Sequence, residues 1–193
     1  MIPKLFKLIN KIVPLGKEEQ EWVQDALQLQ VVKKGEFFIK EGQVCNTLGF
    51  LQTGIMRVFT NVEGKEHTNY FCFERRNPVV CAHMSFISRK PSLESIQALE
   101  DTEMLSISYY ALQKLYQQSP KFQELGRLMM EQTYIDAKLR ILALQTQPAQ
   151  ARYQRMLDKY PNMINQISHH YIASYLGIAP ESLSRIRRQL MKS

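Results

Sequence analysis

The sequence predicts an α+β protein built from an all-β roll, one long helix and a pair of short helices near its C-terminal end. Three observations predict it. Residues 31–107 consist of short runs rich in Val, Ile, Phe, Tyr and Thr, punctuated by Gly35, Gly42, Gly49, Gly54 and Gly64. After Ser108 the pattern turns helical, and only Gly126 interrupts it between Pro120 and Thr146. Near the end of the chain two helical stretches flank Gly177.

The chain has 193 residues, 45% hydrophobic and 22% charged, enough for a main body with a small appendage and too apolar for disorder. No run approaches the ~20 apolar residues that a membrane span requires. Lys4, Lys7 and Lys11 interrupt the apolar residues at the start, so no signal peptide is expected and the expected location is the cytoplasm. Cys45, Cys72 and Cys81 are an odd number without CxxC spacing. They read as buried free thiols, not as a disulfide framework or a zinc site.

Residues 2–13 are an apolar, lysine-bearing stretch that Pro14-Leu15-Gly16 breaks. From Lys17 to about Leu29, the residues Trp22, Val23, Ala26, Leu27 and Leu29 give a roughly helical face. The β region that follows reads as about eight short strands in a compact roll or barrel. Within it Asn61–Glu66 is a hairpin turn in which Gly64 supplies a positive φ.

Tyr109–Gln118 is a short helix, and Ser119-Pro120 opens the next. That helix, to about Thr146, would be ~40 Å long at 1.5 Å per residue. Leu125, Leu128, Gln132, Ile135, Leu139 and Leu142 recur at steps of three and four along it. The spacing predicts a heptad seam between two copies of the chain, the competing partner being the chain's own roll. Gln147-Pro148 ends the helix, and 149–159 forms another before Tyr160-Pro161. The expected division is therefore a roll domain over 1–117, a dimer helix over 118–146 and a C-terminal domain over 149–193.

Charge is concentrated in that last segment. Residues 149–193 hold Arg152, Arg155, Lys159, Arg185, Arg187, Arg188 and Lys192 against Asp158 and Glu181, so they carry +5 of the total +7. A small cationic module on a nearly neutral body points to a polyanion partner. The order of residues sharpens this. Ser168 is an N-cap for a two-turn helix over 169–176, Gly177 sits at a sharp turn, and Pro180 opens a second helix that runs to Leu190.

Ala173 permits close approach of the two helices, and Ile172, Leu176, Ile178, Leu183 and Ile186 form their shared core. The pattern is that of a DNA-binding helix-turn-helix. Arg185 is suited to guanine O6 and N7, Glu181 to cytosine N4, and Ser182 and Ser184 to bases or phosphates. Arg187, Arg188, His169 and Tyr171 are placed for the backbone. The competing reading of Glu181 and Arg185 is an i,i+4 ion pair.

Two stretches carry a resemblance. Val32-Lys33-Lys34-Gly35-Glu36-Phe37-Phe38-Ile39-Lys40-Glu41-Gly42 is similar to the opening of the cyclic-nucleotide-binding-like domain of the Crp/Fnr regulators. Tyr171–Arg185 resembles their helix-turn-helix. The resemblance spans nearly the whole chain. It implies a double-stranded β-helix, jelly-roll-like, as sensor domain, a long dimerisation helix and a DNA-binding domain. It also implies a homodimer on an inverted-repeat operator, a transcriptional regulator and not an enzyme, with RNA polymerase as a further candidate partner. In the family the recognition helix opens Arg-Glu with an Arg four residues after the Glu. Glu181 and Arg185 match, and Pro180 replaces the first Arg, so one familiar base contact is missing.

The sensor end departs further from the family. Cyclic-nucleotide binders hold ribose with a Gly-Glu pair and phosphate with an Arg-Ser pair. Those positions fall on Cys81 and Ala82, and on Ser92 and Leu93, with His83 adjacent. A buried phosphate without its cation costs several kcal/mol, so cAMP and cGMP are not expected ligands. The effector is unspecified, and no cofactor or metal is expected. Arg75, Arg76, Arg89 and Lys90 read as solvated turn residues, the alternative being a site for another anion. Three scattered thiols do not suit an iron–sulfur cluster, and haem ligation by His67, His83 or Met84 stays open.

A cupin-type metal enzyme is the competing class. It wants His pairs at HxH spacing, and His67 and His83 stand alone. A roll that docks a protein and takes no ligand is the other alternative.

Overall fold

The structure is a computed structural model that describes residues 2–161 and 165–190; Lys192, counted in the basic tail, lies outside them. The elements are α1 (Ile2–Ile12), α2 (Lys17–Ala26), β1 (Gln28–Val32), β2 (Phe37–Ile39), β3 (Thr47–Thr53), β4 (Ile55–Val62), β5 (Lys65–Phe73) and β6 (Val79–Val80). They continue with α3 (His83–Ser88), β7 (Ser95–Ala98), β8 (Thr102–Ser108), α4 (Tyr109–Gln118), α5 (Pro120–Thr146), α6 (Ala149–Lys159), α7 (His169–Leu176) and α8 (Pro180–Leu190).

The eight strands among the described residues form two four-stranded sheets, ordered β1-β8-β3-β6 and β2-β7-β4-β5. In the first, β8 pairs antiparallel with β1 (Gln28↔Ser106) and with β3 (Gly49↔Ser106). Both sheets contribute to the interior: Leu51, Met56, Phe73, Val80, Ile96 and Met104 are wholly buried, each stabilising the roll by about 1.5–3 kcal/mol. The β4–β5 turn has Glu63 at φ 52° and Gly64 at φ 81°, the two successive positive values of a tight primed hairpin, as the sequence predicts.

Two differences from expectation lie in this part of the chain. The helix read as reaching Leu29 stops at Ala26, because Leu27 turns extended and Leu29 joins β1 opposite Leu105. The short helix α3 was not anticipated; six residues give too little periodicity to read.

A second apolar cluster joins the N-terminal helices to the roll. Leu5, Phe6, Ile9, Val23, Phe50, Leu105, Ile107, Leu115, Phe122 and Leu125 are its buried members, and Leu128 packs against them. Leu125 and Leu128 therefore complete the chain's own core, which corrects their assignment to the dimer seam. The start of α5 is also pinned by Glu19. One carboxylate oxygen accepts from Ser119 Oγ at 2.7 Å, and the other accepts from Lys121 Nζ at 2.7 Å and from the Gly16 N–H at 2.8 Å. The Lys121 hydrogen bond leads these donors in holding the Glu19 carboxyl at about 2.

Contacts divide the chain into two compact units, residues 1–58 with 71–133, and residues 59–70 with 134–193. The boundary falls inside α5, and the tip of the β4–β5 hairpin groups with the C-terminal helices.

Candidate nucleic-acid interface

The C-terminal unit is organised around the turn between α7 and α8. Ser168 caps α7, its hydroxyl accepting the Tyr171 N–H. At the other end Gly177 adopts φ 67°, ψ 36°, the left-handed conformation that a side chain would strain. Its N–H donates to the Ser174 carbonyl and the Ile178 N–H to the Ala173 carbonyl, both at 3.1 Å, which is a Schellman closure. Two further carbonyls at this helix end are taken by arginines. Arg140 Nη2 donates to the Tyr175 carbonyl at 2.9 Å and Arg152 Nη2 to the Leu176 carbonyl at 2.7 Å. Cations at a helix C-terminus also meet its negative dipole end.

The hairpin tip is tied to α7 by Ser174, whose hydroxyl accepts the Thr68 N–H at 2.9 Å and donates to the Glu66 carbonyl at 3.0 Å. Arg140 reinforces this through the Thr68 carbonyl at 3.1 Å, with its guanidinium over the Tyr175 ring. Burial lowers the Arg140 pKa from its ordinary value. Neither the Ser174 contacts nor the role of Arg140 is legible in the sequence, since each joins residues far apart along it.

The core expected from the sequence is present: Ile172, Ala173, Leu176, Leu183 and Ile186 are buried and Ile178 is half-buried. At 100° per residue, Glu181, Ser184, Arg185 and Arg188 share the face of α8 opposite Leu183 and Ile186. All four are exposed. Ser182 and Arg187 flank this face and are half-buried.

Among the described residues no ion pair joins Glu181 to Arg185; the Arg185 guanidinium reaches the Ser182 hydroxyl at 3.5 Å. The Ser184 hydroxyl donates to the Pro180 carbonyl at 3.1 Å. Arg187 Nη1 meets the Nε2 of exposed His169, and Tyr171 is half-buried beside the His170 ring. The result is a helix with one buried apolar edge and an open face of one carboxylate, one hydroxyl and two guanidinium groups. Those groups can exchange hydrogen bonds with base edges and phosphates.

The remaining seam positions on α5 are open. Ile135, Leu139 and Leu142 are 48%, 43% and 43% exposed. Gln132 is exposed as well. Ile141, Leu144 and Tyr134 widen the exposed apolar surface beyond the stripe that heptad spacing marked.

The sensor positions are differently placed. Cys81 and Ala82 are buried between β6 and α3, and Leu93 is 61% exposed. Buried Ser92 turns its hydroxyl into its own loop, donating to the Glu94 carbonyl at 2.8 Å and accepting the Glu94 N–H at 3.0 Å. Half-buried His83 has its pKa lowered by burial, and His67 and Met84 are exposed. Arg89 corrects the expectation of a solvated turn residue. Its Nη1 donates to the Cys45 carbonyl at 2.7 Å and the Phe86 carbonyl at 3.2 Å, and its guanidinium lies 4.1 Å from the Tyr109 ring centroid.

Residues 29–119 match the cyclic nucleotide-binding domain family. The Transcriptional activator protein anr of Pseudomonas aeruginosa is 26% identical over 168 residues, 80% of this chain and 67% of that one. In fold and in sequence the chain is similar to regulators of the Crp/Fnr type. The structure of FixK2 from Bradyrhizobium japonicum superposes with a TM-score of 0.74 at 18% identity, over 86% of this chain and 85% of that one. The Thermus thermophilus Catabolite Activator Protein gives 0.59 at 22% identity, over 94% and 86%. The Crp/Fnr-type architecture expected from the sequence, two β-sheets, a long helix and C-terminal helices, is thus the architecture found. Among the described residues no helix is long and apolar enough to cross a membrane.

Proposed function

We propose that this Crp/Fnr-type chain regulates transcription as a cytoplasmic homodimer that inserts α8 of each protomer into the major groove of duplex DNA. The observation that carries the reading is the open Glu181, Ser184, Arg185 and Arg188 face, held outward by the Schellman turn at Gly177. Arg185 and Glu181 read base edges, with Ser182 and Ser184 alongside. Arg187, Arg188, His169 and Tyr171 set register on phosphates. The exposed Ile135, Leu139 and Leu142 surface, with Gln132, is where the second copy seats. Two-fold symmetry then spaces the half-sites about 34 Å apart, so the operator is an inverted repeat.

RNA polymerase is the further partner of such a regulator. The protein performs no catalysis and needs no cofactor or metal. In the roll, Cys81, Ala82, His83, Ser92 and Leu93 mark the effector region. They provide no cation for a buried phosphate, and Ser92 is already engaged by Glu94, so the effector is not cAMP or cGMP. An effector acts by binding the two arrangements of the DNA-binding domains unequally.

Selection of bound duplexes from a random pool tests the reading. It should enrich an inverted repeat with half-sites one helical turn apart. Enrichment of nothing, or of single-stranded contaminants, would overturn it.

A further inference from the structure

A serine inside a helix ordinarily returns its hydroxyl to the carbonyl four residues earlier. Ser174, in α7, does not: its hydroxyl donates to the Glu66 carbonyl at 3.0 Å and accepts the Thr68 N–H at 2.9 Å. Among the described residues β5 is the last strand of the sheet β2-β7-β4-β5, so alternate residues along its outer edge turn their backbone groups away from β4. Glu66 and Thr68 are two such residues, and Ser174 Oγ stands where a next strand would. Arg140 Nη2 takes the Thr68 carbonyl at 3.1 Å while also holding the Tyr175 carbonyl at 2.9 Å. Three successive outward groups of the β5 edge are thus bound by side chains of α7 and α5. Thr68 is only 2% exposed, so water does not compete freely for these bonds.

The place of Ser174 on α7 decides what the contact can do. At about 100° per residue it falls between His170 and Tyr171, opposite the buried Ile172, Ala173 and Leu176. The hairpin tip therefore grips α7 on the side away from the core shared with α8, and Glu181, Ser184, Arg185 and Arg188 stay exposed.

We propose that Ser174, backed by Arg140, is a positioning residue for DNA binding: it straps the β4–β5 tip to α7, so that the helix-turn-helix is tethered by the hairpin as well as by α5. That role rests on the DNA-binding reading.

The path of the chain gives the strap its leverage. Residues 59–70 belong to the same compact unit as 134–193, and the chain leaves that unit along α5 and along both hairpin strands. Beyond the boundary those strands carry Ile55, Met56, Phe71 and Phe73, all buried. A module held through one helix can swivel about it; one held through three chain segments loses that freedom before it meets a ligand. The gain is specific to paired half-sites. Once one recognition helix has docked, the second finds its half-site at an effective concentration set by how stiffly it is held. A lone half-site asks nothing of spacing, so the strap should not matter there.

Full-length wild type, Ser174→Ala and Ser174→Thr are compared in two measurements. Amide exchange without DNA reads the strap itself. The Thr68 N–H should exchange slowly in wild type and in Ser174→Thr, and about tenfold faster or more in Ser174→Ala. Fluorescence anisotropy then compares duplexes carrying one half-site and both half-sites of the selected repeat. Ser174→Ala should lose about tenfold in affinity for the paired site and less than about twofold for the single one, with Ser174→Thr restoring the paired site. Equal losses on both duplexes, or an unchanged paired affinity despite faster exchange, would overturn the proposal. So would fast Thr68 exchange in wild type. Slow Thr68 exchange in a wild type that binds no duplex would instead sink the DNA-binding reading, and the positioning role of Ser174 with it, while leaving the strap itself in place.

Discussion

Along α5 one apolar spacing runs from Leu125 to Leu142, yet its two halves meet different surroundings. Leu125 and Leu128 belong to the core that holds Leu5, Leu115 and Phe122. Ile135, Leu139 and Leu142 stand between 43% and 48% exposed. Periodicity marks which face of a helix is apolar; it does not say what covers that face. Here the first half finishes the protomer's own fold, and the second leaves its apolar side chains exposed.

Introducing a charge on the exposed half should have the largest effect. Leu139→Glu should turn dimers into monomers in sedimentation and abolish tight operator binding, while leaving the thermal unfolding of the protomer nearly intact. An unchanged dimer would place the seam elsewhere. In the buried half, Leu125→Ala should instead cost about 2–5 kcal/mol of stability by opening a cavity, read by chemical denaturation, with the dimer preserved. Similar outcomes for both substitutions would erase the distinction between the halves.

The same contrast between an inner and an outer face holds on α8. Arg185→Ala should cost about 1–3 kcal/mol on the operator and relax preference at one base pair, whereas Arg188→Ala should weaken all sequences alike. Equal effects of the two on random DNA, measured by fluorescence anisotropy, would contradict these roles.

The smallest effect concerns how the first half of α5 is anchored. Glu19 has a folded pKa of about 2, below its ordinary value of 4.5, so its bonds to Lys121, Gly16 and Ser119 stabilise the protein fully above that ordinary value. The contribution fades as pH falls from about 4.5 towards 2. Lys121 is substantially exposed, so the contribution is no more than about 1 kcal/mol. Denaturation at pH 6 and pH 3 should show Glu19→Gln closing most of its gap to wild type at the lower value, and a gap independent of pH would refute the linkage.

How much of this was legible follows the range of the interactions. The ends of α4, α7 and α8 coincide with the sequence reading because Ser108, Ser168, Gly177 and Pro180 act within a few residues of themselves. The eight strands and the Gly64 turn were legible for the same reason. The end of α2 was misread because no glycine or proline marks it, and the pairing of Leu29 with Leu105 outweighs local helical spacing.

The candidate interface on α8 was readable because all its residues lie on one short helix. The Ser174–Thr68 tie, the burial of Leu125 and the Arg89 contacts were not, since each depends on chain segments brought together only by folding.

The central claim, that α8 engages duplex DNA, is tested most directly by the binding of the purified full chain to duplex across a salt series. Neutralised phosphates release counterions, so log affinity should fall linearly and steeply with log salt, and Arg188→Ala should make the slope shallower. No binding at low salt, or binding indifferent to salt and to the loss of Arg188, would contradict the account.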